Sequence, residues 1–225
     1  MISIYERALG EAYSRLQPEL QKKFGLTSEA RTSIICTGVM EEIWGGKVYM
    51  KPFLHLGAQK NITFSERGRN IPFTLENYAY RNAQGQECMA WIRKFQFDPV
   101  RNFDATMIYS SKKKGIVDYL GIDQDFVTDI DISVLENGGI RLLSGPLTFS
   151  KKGLNLKIPA VFSGTAEAIE WYDEENECFH IHVAVTNGSF GTVFGYKGTF
   201  TIEYVTCEDP PAYAKPRREA VVTAV

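Results

Sequence analysis

The sequence predicts a mainly β fold: one large antiparallel sheet of about nine or ten strands, closed into a barrel or strongly curved, with a helical segment at its N-terminus. In Cys178–Thr186, Phe179, Ile181, Val183 and Val185 fall on one side, with Cys178, His180, His182, Ala184 and Thr186 on the other. That is the period of two of a strand with one buried face. From Thr192 to Thr206 the alternation resumes, with Phe194, Tyr196, Phe200, Ile202 and Tyr204 opposite Lys197, Thr199, Thr201 and Glu203. The other strand candidates follow one another through short turns, which implies antiparallel meanders and excludes a repeated βαβ arrangement. Closure is expected because it removes exposed edges and gives both ends of the apolar face something to pack on.

Each element has its own local cause. Over Ser3–Phe24, Tyr5, Leu9, Tyr13, Leu16 and Leu20 recur at helical spacing, and Ser3 with Glu6 reads as a capping box. Gly10 weakens the interior of this segment, and Pro18 breaks it or begins a second short helix ending at Gly25. Its expected role is a lid or plug, or simply a helix packed on one face. Arg31–Trp44 reads as a strand bent or bulged near Gly38, and a short helix is expected near Pro52. Asn61–Phe64 is a short strand candidate. Ile71–Arg81 and Glu87–Phe97 form a hairpin through Asn82-Ala83-Gln84-Gly85, followed by Phe103–Tyr109 and Gly115–Leu120. Phe126–Leu135 turns at Glu136-Asn137-Gly138-Gly139 into Ile140–Phe149, and Thr165–Tyr172 turns through Asp173-Glu174-Glu175-Asn176 into the stretch described first. Residues 1–207 are expected to form one domain, with the helical segment at about 3–24 and a flexible tail over 208–225, where Pro210, Pro211 and Pro216 lie.

Composition narrows the function classes. A net charge of −2 with mixed signs excludes the broad field of a nucleic-acid or anionic-membrane partner. The N-terminus lacks a secretory pattern and no apolar run reaches the ~20 residues of a membrane span, so a cytoplasmic protein without an integral membrane segment is expected. Cys36, Cys88, Cys178 and Cys207 are scattered and read as reduced thiols rather than disulfides or metal ligands. No phosphate loop, nucleophile elbow, zinc-protease or dinucleotide fingerprint is present, and no cofactor is called for. Gly188, Gly191, Gly195 and Gly198 lie between and within strands, where turns and tight bends explain them better than a phosphate cradle. His180 and His182 share a strand face, but the face opposite the apolar one, with only His55 to complete a metal site.

Polar residues within the apolar strand faces point to a pocket, because burying an unpaired charge or amide is costly. Arg93 shares a face with Met89, Trp91, Phe95 and Phe97; Asn77 with Phe73 and Leu75; Asp118 with Ile116 and Leu120; Glu170 and Tyr172 with Ala166 and Ala168. With Tyr196, these residues suit a largely hydrophobic ligand carrying one polar or anionic end, and each has the alternative of a structural pair that fixes register.

The combination Ser3-Ile4-Tyr5-Glu6-Arg7-Ala8-Leu9-Gly10, Glu76-Asn77-Tyr78-Ala79-Tyr80, Asp118-Tyr119-Leu120-Gly121, Glu170-Trp171-Tyr172 and Phe194-Gly195-Tyr196-Lys197-Gly198-Thr199-Phe200 resembles an uncharacterised bacterial family of domains of unknown function. The resemblance spans about residues 2 to 205. It implies no known reaction, but family members standing alone or fused to dehydrogenase-like domains imply a small-molecule or lipid context and a possible oxidoreductase partner. The expected function is therefore binding of a mainly apolar small molecule or lipid-like ligand, with Asn77, Arg93, Asp118, Glu170, Tyr172 and Tyr196 orienting it. Two alternatives stand beside it: an isomerase, cyclase or hydrolase using Asp118, Glu170 or His182 as acid or base, and a non-catalytic partner domain of an oxidoreductase.

Overall fold

The computed structural model describes residues 1–46, 51–151 and 154–216. Twelve strands form a single antiparallel sheet: β1 (Thr32–Gly45), β2 (Gly68–Arg81), β3 (Glu87–Phe95), β4 (Arg101–Ser110), β5 (Gly115–Leu120), β6 (Phe126–Val134), β7 (Ile140–Ser144), β8 (Thr148–Lys151), β9 (Leu154–Lys157), β10 (Thr165–Asp173), β11 (Cys178–Asn187) and β12 (Gly191–Thr206). Ten of them close into a barrel in the order β1-β2-β3-β4-β5-β6-β7-β10-β11-β12, with β12 returning to pair with β1 and β5 with β6. The connectivity is a plain meander interrupted once, where the β8–β9 hairpin leaves the wall and pairs with the start of β6. Ile140–Phe149, expected as one strand, is interrupted after Ser144, and its last residues open this hairpin as β8; Leu154 and Leu156 of β9 are exposed, so β9 shows no buried-face pattern to reveal it beforehand.

The alternation holds where it was clearest. Phe179, Ile181 and Val183 of β11 and Phe194, Tyr196 and Phe200 of β12 all point into the barrel and are buried. Stacking of Phe179 on Phe200 at 5.3 Å between centroids, nearly parallel, ties these two strands together inside. The irregularity in β1 falls at Met40/Glu42 rather than at Gly38. Gly38 serves a different purpose: a Cβ there would lie 2.0 Å from the Thr199 carbonyl oxygen, so only glycine lets β1 and β12 approach this closely. The glycines after β11 likewise make a turn, and Gly195 leaves room for the Trp44 ring. Asn61–Phe64, expected as a strand, is irregular chain; the Asn61 carbonyl accepts from the Asp104 amide, and Phe64 is fully buried.

One end of the barrel is plugged by the N-terminal segment. Helix α1 (Ile4–Leu9) begins where the Ser3 hydroxyl accepts from the Glu6 amide at 3.0 Å, and it gives way at Gly10 to a 3-10 turn. Helix α2 (Pro18–Phe24) starts on its proline and ends at Gly25. Tyr5, Leu20 and Phe24 seal the end, and Gln17 fastens the segment by hydrogen bonds to both backbone groups of Tyr172. The opposite end is covered by the β1–β2 connection, which carries α3 (Lys51–Ala58) at the expected proline and inserts Leu54. Beyond β12 the chain does not leave the barrel at once. Residues 208–216 lie along the outer wall, where Ala214 is buried against Tyr78, Tyr80 and Ile92, and Tyr213 donates to Glu76. Residues 217–225 lie outside the described residues.

Candidate functional site

Between plug and cover the barrel keeps a cavity of about 200 Å³. It exists because the inner wall is uneven. Large residues such as Trp91, Phe103, Met107 and Phe194 share the lining with Gly164, Ala166 and Ala168 of the β10 region, which fill little of the space their strand encloses. Most of the remaining wall is aliphatic, from Ile130, Leu142, Ile181, Val183 and Val185.

Four of the sequence-predicted residues meet here: Arg93 from β3, Asp118 from β5, Glu170 from β10 and Tyr196 from β12. They reach the same space because each occupies an inward position in its strand's alternation. Asn77 also faces inward but lies outside the cavity lining; it stands opposite Ile34 and Trp91, with both amide atoms buried and lacking a protein partner. Tyr172 sits at the plugged rim, edge-on to Phe179 at 4.9 Å, and is likewise not part of the cavity.

The four are not equivalent electrostatically. Glu170 is bound by Lys23 of α2 in an ion pair whose side chains are 4% and 2% exposed. Lys23 also lies over the rings of Phe24, Trp91, Phe179 and Phe200. Sequence reasoning missed Lys23, although a signal existed: it falls three residues after Leu20 on the buried face of α2. Arg93 has no carboxylate partner among the described residues. Its guanidinium lies over the Trp91 and Phe103 rings at 4.8 and 4.7 Å and gives one N–H to the Phe103 carbonyl at 3.2 Å. Its Nε, the Oδ1 of Asp118 and the hydroxyl of Tyr196 are buried without any protein partner.

Burial raises the Asp118 carboxyl to about 7, opposed by the positive charge of Arg93. Burial raises the Tyr196 phenol as well, again opposed by Arg93. Near neutrality the cavity thus holds a carboxyl able to keep or release a proton, a neutral phenol and a fixed cation.

The histidines lie elsewhere. His180 stacks on Trp171 at 4.8 Å and His182 packs near Trp44 at 5.5 Å, both on the outer face, so His182 is corrected from a candidate acid or base to a wall residue. His55 is exposed on α3. Among the described residues no group of three or more His, Cys, Asp or Glu side chains is placed to hold a metal ion, and no helix is long and apolar enough to cross a membrane.

The model for a family described as a domain of unknown function, DUF4166, matches residues 16–200. The uncharacterized protein YndH of Bacillus subtilis (strain 168) is similar to this chain, 36% identical over 204 residues that cover 90% of this chain and 98% of that one. No solved structure matches. The family match runs from the plug helix through β12, taking in every strand of the cavity wall, and this chain belongs to the DUF4166 family of domains of unknown function.

Proposed function

We propose that this barrel is a cytoplasmic binding protein for a small, mainly apolar molecule held in its central cavity. The observation that carries the proposal is the set of three polar atoms without protein partners, on Arg93, Asp118 and Tyr196, brought from three separate strands to one apolar cavity. Buried polar groups without partners are costly, and their convergence is what a ligand's polar end would satisfy. A cavity of about 200 Å³ favours a small molecule over a long-chain lipid. Four free cysteines support a reducing compartment. Docking to an oxidoreductase would call for a packed interior and a contiguous apolar outer face, and the cavity favours binding instead.

A second reading draws on Asp118 alone: a buried carboxyl that titrates near neutrality is suited to acid or base work on the bound molecule, as in an isomerase. Glu170 is less suited, being held by Lys23.

Native mass spectrometry of the protein purified from its own host tests the binding role. The parent is expected to retain a small adduct that Arg93→Leu loses while keeping its circular dichroism spectrum. A folded Arg93→Leu protein that holds the same adduct as well as the parent removes Arg93 from the site.

A further inference from the structure

Resting on that binding role, we infer that the ligand is a small organic acid, bound as its carboxylate, with an apolar body about the size of one six-membered ring.

Charge argues for the acid. Lys23 and Glu170 cancel each other, which leaves Arg93 as the cation in the cavity wall without an ion-pair partner among the described residues; the carboxyls that feel its charge are Asp118, which burial raises, and Asp104, which lies outside the cavity lining. A guanidinium that is 7% exposed and holds no ion pair is costly, and a ligand monoanion lowers that cost where an alcohol or amide does not. A cationic ligand would add to it.

Charge balance argues for a carboxylate rather than a phosphate. The groups left to serve a ligand are the Arg93 N–H groups beyond the one given to the Phe103 carbonyl, the Nε–H among them, the Tyr196 O–H and the Asp118 carboxyl. Burial keeps Asp118 protonated up to about pH 7, so it offers an O–H instead of a repelling charge. Of the wall hydroxyls, Thr128 donates to the Gly145 carbonyl at 3.0 Å, while Ser144 accepts from the Ala166 amide at 2.8 Å and keeps its own O–H to give. The single positive charge of Arg93 matches a carboxylate monoanion but leaves a doubly charged phosphate short of counter-charge.

Volume sets the body. An apolar cavity of about 150 Å³ takes up benzene. The cavity here, about 200 Å³, has room for a ring of that size together with a carboxylate, and its aliphatic wall offers the rest of the molecule nothing to hydrogen-bond.

The test is isothermal titration calorimetry of the full chain with benzoate, benzamide and benzyl alcohol, and with hexanoate against hexanamide. Each acid is expected to bind roughly ten- to a hundredfold more tightly than its neutral counterparts. Arg93→Gln should erase that preference, and Tyr196→Phe should reduce it several-fold, with folding of each variant checked by thermal melting. Neutral compounds that bind the parent as tightly as the acids overturn the acid inference and leave small-molecule binding standing. If none of the five binds, both fall. Because the comparison of acid with amide is made on the parent protein, it remains decisive even if a variant fails to fold.

Discussion

Two clusters of buried polar groups inside the barrel are handled in opposite ways, with the unpartnered Asn77 amide, outside the cavity, belonging to neither. At the plugged end the buried charge is satisfied within the chain: Lys23 meets Glu170, and the Tyr5 hydroxyl accepts from the Trp91 indole N–H at 2.9 Å and donates to the Met107 sulfur at 3.3 Å. A few ångströms further along the same wall, Arg93, Asp118 and Tyr196 are left with unfilled hydrogen-bonding capacity. Both regions are equally dry, so exposure to water does not explain the difference. The first set joins the plug to the barrel and has a structural task; the second has no task that the chain itself supplies. Buried polarity alone therefore does not mark a binding site, whereas buried polarity left without a partner beside a cavity does.

Three substitutions break or sharpen this contrast, beginning with the largest expected effect. Lys23→Met strips the plugged end of one partner and leaves Glu170 buried and alone, with an expected loss of about 3–5 kcal/mol in urea unfolding. Replacing Glu170 by Leu in the same chain should restore most of it. If the single variant unfolds like the parent, the pair is not what fastens the plug.

Asp118→Asn acts on the unsatisfied cluster, and its sign is opposite. The native carboxyl titrates at about 7 against an ordinary value of 3.8, so between those two pH values the folded state holds more protons than the unfolded one. Stability contributed by Asp118 is then present at low pH and is lost as pH rises through that window. Asp118→Asn should flatten this decline and stabilise the protein at pH 8 by roughly 1–2 kcal/mol. Parallel stability profiles for parent and variant between pH 4 and 8 would contradict the assignment.

Tyr5→Phe has the smallest expected effect. It leaves the Trp91 N–H without an acceptor and should cost about 1 kcal/mol by thermal melting. It should not change affinity for benzoate, because Tyr5 is on the satisfied side. A loss of affinity would show that plug and cavity act as one unit.

Much of the fold was legible because strand alternation states directly which side chains are inside. Phe179, Ile181 and Val183 identified one inner face, and the same rule carried Arg93, Asp118, Glu170 and Tyr196 to the cavity from four strands far apart in sequence. Alternation has no coordinate along the barrel axis, which is why Asn77 and Tyr172 were grouped with them although they stand outside the cavity. It was also silent on how full the interior is, since that depends on Ala166 and Ala168 sharing the lining with Phe103 and Met107, a relation between strands rather than within one. Lys23 was hidden for a different reason: its partner lies 147 positions away, so its place on the buried face of α2, three residues after Leu20, gives no hint of what it pairs with. In sequence β8 reads as the end of one strand from Ile140 to Phe149, and β9, short and exposed at Leu154 and Leu156, has no buried face to betray it.

The seam between β1 and β12 has a consequence for how the molecule is made. It pairs Thr32 with Thr206, so the earliest and latest strands of the wall are neighbours. During synthesis the growing sheet keeps two open rims until the final strand leaves the ribosome, and only then does the cylinder shut. Any chain stopped short of Gly191 would carry Ile34, Cys36 and Met40 along an uncovered border, ready to associate with whatever strand arrives first.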